Sequence, residues 1–260
     1  MKTLFYFFIS ITLYTLASRS ISANCGLQLC PLHFEKKANW ELGLNQQVTR
    51  FDIGGRGAYQ MTSLIVNYHS ENFRVGVSQP FALIQSPTFD GFTIANTMTF
   101  GELILLQGDH YLALGSQLEL PTGKASTGAA AEHFMLIPYL TYMFHANLGT
   151  IAVQAGINKS LTEHAHGGAD ILYIYPHSGF EALSRFTLAK TFGIFSPLVQ
   201  LDLRQVLDDH ATGDKTFFNG GVGARIKYLP SQEITLRFEF PLMSNQRELW
   251  QLMAMWRYFI

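Results

Sequence analysis

Apolar and polar residues alternate with a period of two along most of this chain. The clearest stretch is 233–242, where every second residue from Ile234 onward is apolar and Glu233, Arg237 and Glu239 lie among the residues between. A helix would spread those charges around its circumference, whereas a β-strand places them on one face. Segments of about ten residues with this period are typical of membrane-spanning strands when they recur. The pattern therefore predicts an all-β protein.

The last segment, 249–260, has the same period and reads LWQLMAMWRYFI. One parity is wholly apolar and rich in aromatic rings: Trp250, Leu252, Ala254, Trp256, Tyr258 and Ile260. Chain ends are usually polar and poorly ordered, so this ending is unusual. In a closed barrel, the last strand pairs with the first and removes two open edges that a bilayer would not tolerate. We predict that 249–260 is a lipid-facing closing strand.

Runs of this kind follow one another from residue 39 to the end. They lie near 39–48, 57–68, 72–83, 92–106, 111–120, 134–145, 149–158, 171–192, 194–206, 216–228, 232–242 and 248–260. Short connections at 69–71, 108–110, 146–148, 193 and 229–231 alternate with mostly longer ones at 49–56, 84–91, 121–133, 159–170, 207–215 and 243–247. We predict a single antiparallel transmembrane β-barrel of about 12 strands over 39–260, with short periplasmic turns and longer outer loops.

The first 23 residues have the features of a secretory signal peptide. Lys2 supplies the positive charge, residues 4–16 form an apolar run of about 13, and Ala23 is a small residue at the expected cleavage point. We expect residues 1–23 to be removed and residues 24–38 to form a periplasmic N-terminal segment. In an oxidising periplasm Cys25 and Cys30 can form a disulfide, with two unpaired thiols as the alternative.

The composition indicates contact with lipid. Without Lys2 and Arg19 of the signal peptide, 16 basic residues stand against 19 acidic ones, a net charge of about −3. That balance argues against a basic nucleic-acid-binding surface. Charged residues make up only 14% and hydrophobic residues 48% of the chain, whereas soluble proteins carry about a quarter of charged residues. We expect outer-membrane lipids around the barrel and a location in the cell outer membrane of a Gram-negative bacterium.

Aromatic residues concentrate at the ends of the predicted strands, which is typical of interfacial girdles. They are Trp40, Tyr59, Tyr68, Phe92, Phe134, Phe195, Phe218, Tyr228, Trp250 and Tyr258. A soluble barrel that carries a ligand would show the same alternation with its apolar parity inward. The girdles, the apolar C-terminus and the hydrophobic fraction favour the membrane barrel.

The polar parity supplies charged residues that a membrane barrel would turn to its lumen. They are Arg74, Glu102, Arg185, Asp202, Arg204, Arg225, Lys227, Arg237 and Glu239. In one interpretation they line a pore and set its selectivity for small solutes. In the other they form ion pairs that fill a narrow structural barrel. Twelve strands can enclose a modest channel, which favours the pore.

Histidines and acids occur together in the predicted outer loops. The histidines are His133, His164, His166, His177 and His210, and the acids are Glu132, Glu163, Asp170, Asp208, Asp209 and Asp214. In extended backbone His164 and His166 point the same way, and imidazole with carboxylate suits Zn²⁺, Cu²⁺ or Ni²⁺. Capture of a divalent transition metal by His164 and His166 is one hypothesis. Solvated polar loops explain the same residues, so we expect no resident cofactor.

An outer-membrane lipid hydrolase is the enzymatic alternative. It would need a serine and a histidine within hydrogen-bonding reach. The adjacent pairs His69–Ser70 and His177–Ser178 would point to opposite faces of a strand. The sequence contains no nucleophile elbow, zinc-protease motif or phosphate-binding glycine loop. We therefore predict that the protein is not an enzyme.

Two short motifs resemble a known family: FGEL at 100–103 and LELPTGK at 118–124. They are similar to the Gly-acid strand start and the Leu-Pro-Thr-Gly turn of outer-membrane transporters of the phenol meta-cleavage pathway type. The resemblance implies passage of small hydrophobic or aromatic molecules and assigns no catalytic residue. Together, strands and motifs predict a porin-like channel for passive uptake of small solutes. The barrel-insertion machinery is a further expected partner, reading Tyr258 and Ile260.

Overall fold

The computed structural model describes residues 39–52, 56–86, 89–124, 127, 134–146, 149–161, 180–207, 216–243 and 248–260. The thirteen strands of this part are β1 (Trp40–Asp52), β2 (Arg56–His69), β3 (Phe73–Gln85), β4 (Asp90–Ile94), β5 (Thr97–Leu106), β6 (His110–Leu120), β7 (Met135–Ala146), β8 (Gly149–Ser160), β9 (Phe180–Ala189), β10 (Phe195–Val206), β11 (Thr216–Leu229), β12 (Gln232–Pro241) and β13 (Glu248–Phe259). No helix in these ranges has the length and apolar character needed to cross a membrane. The predicted signal peptide and residues 24–38, with Cys25 and Cys30, lie outside the described residues.

The strands close into one antiparallel barrel. Successive strands pair with one another, and β13 pairs with β1 from Glu41↔Phe259 to Phe51↔Glu248. β4 and β5 pair one after the other with β3, so they are two parts of one interrupted strand and the barrel has twelve positions. The predicted fold, the strand number and the closing role of 249–260 are confirmed.

The two faces of the barrel differ in polarity as the alternation predicts. On β3, Val75 and Val77 are exposed on the outside, while Arg74 and Ser78, which flank them in the chain, are buried on the inside. Most strands have 10–14 residues, which at the tilt of membrane barrels spans about 30 Å. That length matches the hydrocarbon core of a bilayer. The outer surface is therefore a lipid-facing belt.

The connections at the two ends of the barrel differ in length. At one end, here called the turn end, Trp40 and Ile260 meet through two backbone hydrogen bonds and strands such as β2–β3 and β11–β12 join through short turns. At the other, the loop end, 14 residues separate β6 from β7 and 19 separate β8 from β9. The predicted alternation of short and long connections is present. We assign the turn end to the periplasm because short turns lie there in outer-membrane barrels.

Aromatic rings form contacts on the outer face near both ends. At the turn end the ring of Tyr68 lies 5.1 Å from that of Trp40 and 5.9 Å from that of Phe73. At the loop end Phe81 stacks on Phe92 with ring centroids 6.3 Å apart. These rings lie at the levels where interfacial girdles form.

The prediction that Tyr59 belongs to an outer aromatic girdle is wrong. Tyr59 is only 2% exposed and packs inside the barrel with Phe51 and Met61. It has the inward parity of β2, which Met61 and Ser63 share. Its position near a strand end suggested a girdle, but parity, which decides the face, points its ring inward.

The strand predicted at 92–106 is interrupted between β4 and β5. Pro80 on the facing strand β3 has no N–H and cannot donate to the ladder there. The Gln79 side chain instead donates from Nε2 to the carbonyls of Pro80 and Ala95, at 3.1 Å each, and accepts a bond of 2.5 Å from Thr97 Oγ1. The Pro80 carbonyl also accepts from the Ala95 N–H at 3.1 Å, so Gln79 matters most for the Ala95 carbonyl, which lipid could not hydrate. The prediction of one unbroken strand is wrong at this point.

Candidate pore lining

Acidic and basic side chains balance on the inner face of the described strands. The inward carboxylates are Glu41, Glu102, Glu119, Glu181, Asp202, Glu233 and Glu239, and the inward cations are Arg74, Arg185, Arg204, Arg225, Lys227, Arg237 and Arg257. An ion on the inner face must be hydrated or paired, because removing an unpaired charge from water costs on the order of several kcal/mol. Seven charges of each sign make the described wall neutral in sum.

Near the turn end the charges form pairs between neighbouring strands. Arg74 Nη2 donates to Glu102 Oε2 across β3 and β5. Arg257 Nη2 lies 2.7 Å from Glu233 Oε1 across β13 and β12. All four side chains are nearly buried. Each guanidinium therefore has its charge compensated within the wall.

Glu41 is held by two side chains of β2. Asn67 Nδ2 donates to its Oε1 at 3.0 Å, and His69 Nε2 lies 3.1 Å from its Oε2. Both contacts connect the first strand to the second at the turn end. These contacts hold the start of β1 against the end of β2.

A hydrogen-bonded network, here called the polar platform, covers β9 to β12 at mid-depth. It consists of Arg185, Gln200, Asp202, Arg237 and Glu239. Arg185 Nε donates to Asp202 Oδ1 at 2.5 Å, and Arg237 Nε lies 2.6 Å from Glu239 Oε1. Gln200 links the two ion pairs because its Nε2 donates to both carboxylates and its Oε1 accepts from Arg237 Nη1 at 2.8 Å.

Glycines of β11 make this network possible. Gly221 lies between Gln200 of β10 and Glu239 of β12 in the strand register. With no side chain at Gly221, Gln200 reaches across the strand to Glu239 at 3.0 Å. A Cβ on Gly223 would lie 2.3 Å from the Leu236 carbonyl oxygen. These glycines therefore permit close packing, as expected for glycine inside a strand.

Part of the inner face is apolar, which the prediction of a polar lumen did not include. Residues of β1–β5 pack into a cluster near the loop end: Phe51, Ala58, Tyr59, Met61, Ala82, Ile84, Ala95 and Met98. Smaller clusters join Ile137 and Tyr139 to Leu183, and Tyr111 to Met143. Six of the eight methionines face inward: Met61, Met98, Met135, Met143, Met253 and Met255. The lumen is thus lined by polar groups together with local clusters of thioethers and rings.

A cavity of about 40 Å³ lies inside the barrel towards the turn end. Its walls combine the guanidiniums of Arg74 and Arg257 with the apolar side chains of Met98, Phe100 and Met255. Arg74 lies 5.6 Å from the centroid of the Phe100 ring, a cation–π distance. The space has room for water-sized molecules.

The structure turns all nine predicted pore-lining residues inward. Arg74 and Glu102 form the pair near the turn end, and Arg185, Asp202, Arg237 and Glu239 belong to the polar platform. Arg204 lies 3.7 Å from Glu181 towards the loop end, and Arg225 Nη2 donates to Ser196 at 3.5 Å. Lys227 shares the inward parity of β11. The nine are therefore distributed over the wall.

The predicted pore-lining set omitted five inward charges: Glu41, Glu119, Glu181, Glu233 and Arg257. Each has the same parity as recognised inward positions of its strand, so strict counting from a neighbour would have found it. Arg257, for example, follows Met253 and Met255 on β13. Extending the parity to every strand end was the step that was omitted.

Only some of the residues of the metal and hydrolase hypotheses lie in the part of the chain that the structure describes. His164 and His166, the other loop histidines and the pair His177–Ser178 lie outside the described residues. Within the described ranges, no group of three or more His, Cys, Asp or Glu side chains is arranged to hold a metal ion. His69 contacts Glu41 through Nε2, which makes it part of the wall at the turn end.

Comparison with known proteins identifies the fold. Neither a protein-family model nor a curated protein sequence matches the chain. An outer-membrane channel from Pseudomonas putida F1 is similar with a TM-score of 0.69 at 10% identity, over 90% of this chain and 99% of that one. The NanC porin gives 0.56 at 10% identity over 84% and 99%. The KdgM porin, in complex with disordered oligogalacturonate, gives 0.55 at 10% identity over 85% and 99%. The chain has the fold of the outer-membrane β-barrels, as the strand pattern predicts.

Proposed function

We propose that this protein is a channel of the cell outer membrane through which small amphipathic solutes pass by diffusion. The observation that carries the proposal is the mixed lining of the lumen, which combines the polar platform on β9–β12 with clusters of thioethers and rings on other strands. A solute with an apolar face and hydrogen-bonding groups can make contacts of both kinds there. Passage of this kind needs no covalent step and no cofactor.

The charge balance of the wall supports neutral solutes. Five arginines are within 4 Å of an inward carboxylate, so their fields largely cancel at the distance of a passing molecule. Porins that select strongly by charge present rings of one sign. We infer that this lumen selects by hydrogen bonding and apolar contact.

The apolar part of the lumen supports the hydrophobic or aromatic class that the motifs at 100–103 and 118–124 imply. Phe100 of the first motif is itself a wall residue of the cavity. Methionine side chains adapt to irregular shapes because they are unbranched and polarisable. A wall with six of them suits several related apolar groups.

A pair of neutral sugars in proteoliposomes tests the proposal. Phenyl β-glucoside and methyl β-glucoside share the polar part and differ in the ring. We expect the phenyl compound to enter at least as fast as the smaller methyl compound, since its ring gains apolar contact in the lumen. Liposomes without protein provide the control. Entry of neither sugar above that control would contradict the proposed function, and faster entry of the methyl compound would contradict the amphipathic selectivity.

A further inference from the structure

We propose that water and solute follow one side of the lumen, formed by β12, β13, β1, β2 and β3, and that the path passes through the cavity between Arg74 and Arg257. We call this side the permeation wall. The inference rests on the proposed channel function and locates the path inside it. It also defines the solute class as small, uncharged and hydrogen-bonding, with an apolar edge.

The first observation is a set of polar side chains on this wall whose oxygens have no hydrogen-bonding partner among the described residues. They are Asn45, Thr49, Ser63, Asn67, Ser78 and Thr235. None is more than 8% exposed. A buried polar atom that lacks a partner costs about 1–3 kcal/mol. Such groups are tolerated on a lumen wall if water or a passing solute bonds to them.

Five of these side chains occupy neighbouring inward positions, with Met255 between Thr235 and Asn45. In the strand register Thr235 faces Met255, Met255 faces Asn45, and Asn45 faces Ser63. Two inward positions further along β2 lies Asn67, opposite Gly76 and diagonal to Ser78 on β3. The missing side chain at Gly76 leaves space that the Asn67 Oδ1 atom occupies. Hydrogen-bonding groups thus continue from mid-depth to the turn end.

The other walls offer fewer such groups. In the polar platform the Gln200 side chain bonds to both carboxylates and to Arg237. The inward side chains of β7 include Met135, Ile137 and Met143, which are apolar and buried. Tyr139 on β7, Gln154 and Asn158 on β8 and Thr187 on β9 also have atoms without a described partner, but none of these side chains lines the cavity. The permeation wall is therefore the side on which such groups and the cavity occur together.

The cavity lies on this wall and supplies the second, independent observation. Asn67 and Ser78 line it together with Met98, Phe100 and Met255. A molecule there can bond to the amide and the hydroxyl while its apolar edge contacts thioether or phenyl groups. Arg74 and Arg257 at its sides are each paired with a carboxylate. The site therefore has little net charge with which to attract an ion.

Cysteine labelling tests the location of the path. The full chain would carry Cys25→Ser and Cys30→Ser, so that each introduced thiol is unique. Ser78→Cys and Thr235→Cys place thiols on the permeation wall. Thr141→Cys is the matched control, because Thr141 is inward and buried on β7 but accepts a hydrogen bond of 3.0 Å from Gln154. Refolding in lipid is checked for each variant by its circular dichroism spectrum.

We expect a small water-soluble methanethiosulfonate to modify the two wall thiols at least about tenfold faster than the control, since thiol reactivity follows access. Modification at either wall position should also reduce the conductance of the protein in planar bilayers, and modification at position 141 should not. Each wall variant reports independently if the other fails to fold.

Two results separate the inference from the proposed function. Conductance in the unmodified protein, with wall and control thiols labelled at equal rates, would overturn the path and leave the channel intact. Absence of conductance in the unmodified protein would overturn the channel function and the path with it.

Discussion

Arg74 shows why charged residues on the inner face of this barrel are paired with residues of opposite charge. Its side chain is only 7% exposed, and it donates to Glu102 on the neighbouring strand. Taking one ion from water without a partner costs several kcal/mol, on the order of a whole domain's margin of stability. The pair is therefore a structural requirement of the wall, whatever passes beside it.

Removing one member of this pair should destabilise the barrel. Glu102→Leu leaves the Arg74 guanidinium buried without its carboxylate, and we expect the free energy of unfolding to fall by about 3–5 kcal/mol. Urea unfolding can be followed by tryptophan fluorescence, since Trp40, Trp250 and Trp256 all lie in the barrel. The double variant Arg74→Met/Glu102→Leu should recover most of the loss because no charge remains buried. Equal stability of the single variant and the wild type would contradict the buried pair.

Removing two cations from the wall should change ion selectivity. Arg225→Gln with Arg237→Gln leaves the described inner face with a net charge of −2, from seven carboxylates and five cations. We expect the reversal potential in a KCl gradient to move towards cation selectivity. Arg50→Gln is the control, because Arg50 is exposed on the outer face near the loop end. A double variant with the reversal potential of the wild type would remove both arginines from the set of pore determinants.

At the scale of strands, the interruption between β4 and β5 depends on one side chain. Gln79 satisfies the carbonyls of Pro80 and Ala95 on the lipid-facing side. Gln79→Leu should lower the free energy of unfolding by about 1–3 kcal/mol, because a buried acceptor loses its donor. Gln60→Leu, an outward glutamine on β2, should be nearly neutral. If both variants unfold at the same urea concentration, Gln79 does not hold the interruption together.

The glycines of β11 allow a second prediction about strands. Gly223→Ala places a Cβ 2.3 Å from a backbone oxygen, which cannot move aside cheaply. We expect a loss of about 1–3 kcal/mol, as for other overpacked sites. Gly101→Ala is the matched control, since its nearest neighbour would be Val75 Cγ1 at 3.8 Å. A stable Gly223→Ala variant would show that β11 and β12 can separate without cost.

The sequence predicted the strands well because each segment by itself shows the period of two. Predicting the closing strand β13 required only its own twelve residues and the rule that membrane edges must pair. The interruption at Ala95 was not predictable in the same way, since its cause, Pro80, lies on a different strand. Tyr59 was misplaced because closeness to a strand end was weighted above parity.

At the scale of the whole molecule, the pattern predicted which face each charge occupies but not how the lumen is divided. Parity assigns Arg185 and Glu239 to the inside, yet only the register of β9–β12 brings them into one network across Gly221. The apolar clusters likewise combine residues of several strands, such as Met61 of β2 with Met98 of β5. These contacts depend on the register between neighbouring strands, which no single segment encodes.

Single-channel recording of the refolded protein in planar bilayers tests the account most directly. A passive channel with a neutral wall should give discrete conductance steps and a reversal potential close to zero in a KCl gradient, because potassium and chloride meet equal numbers of opposite charges. A protein that inserts into the bilayer, keeps its β-sheet spectrum and yet gives no conductance steps would contradict the channel. Its ion pairs would then fill a structural barrel.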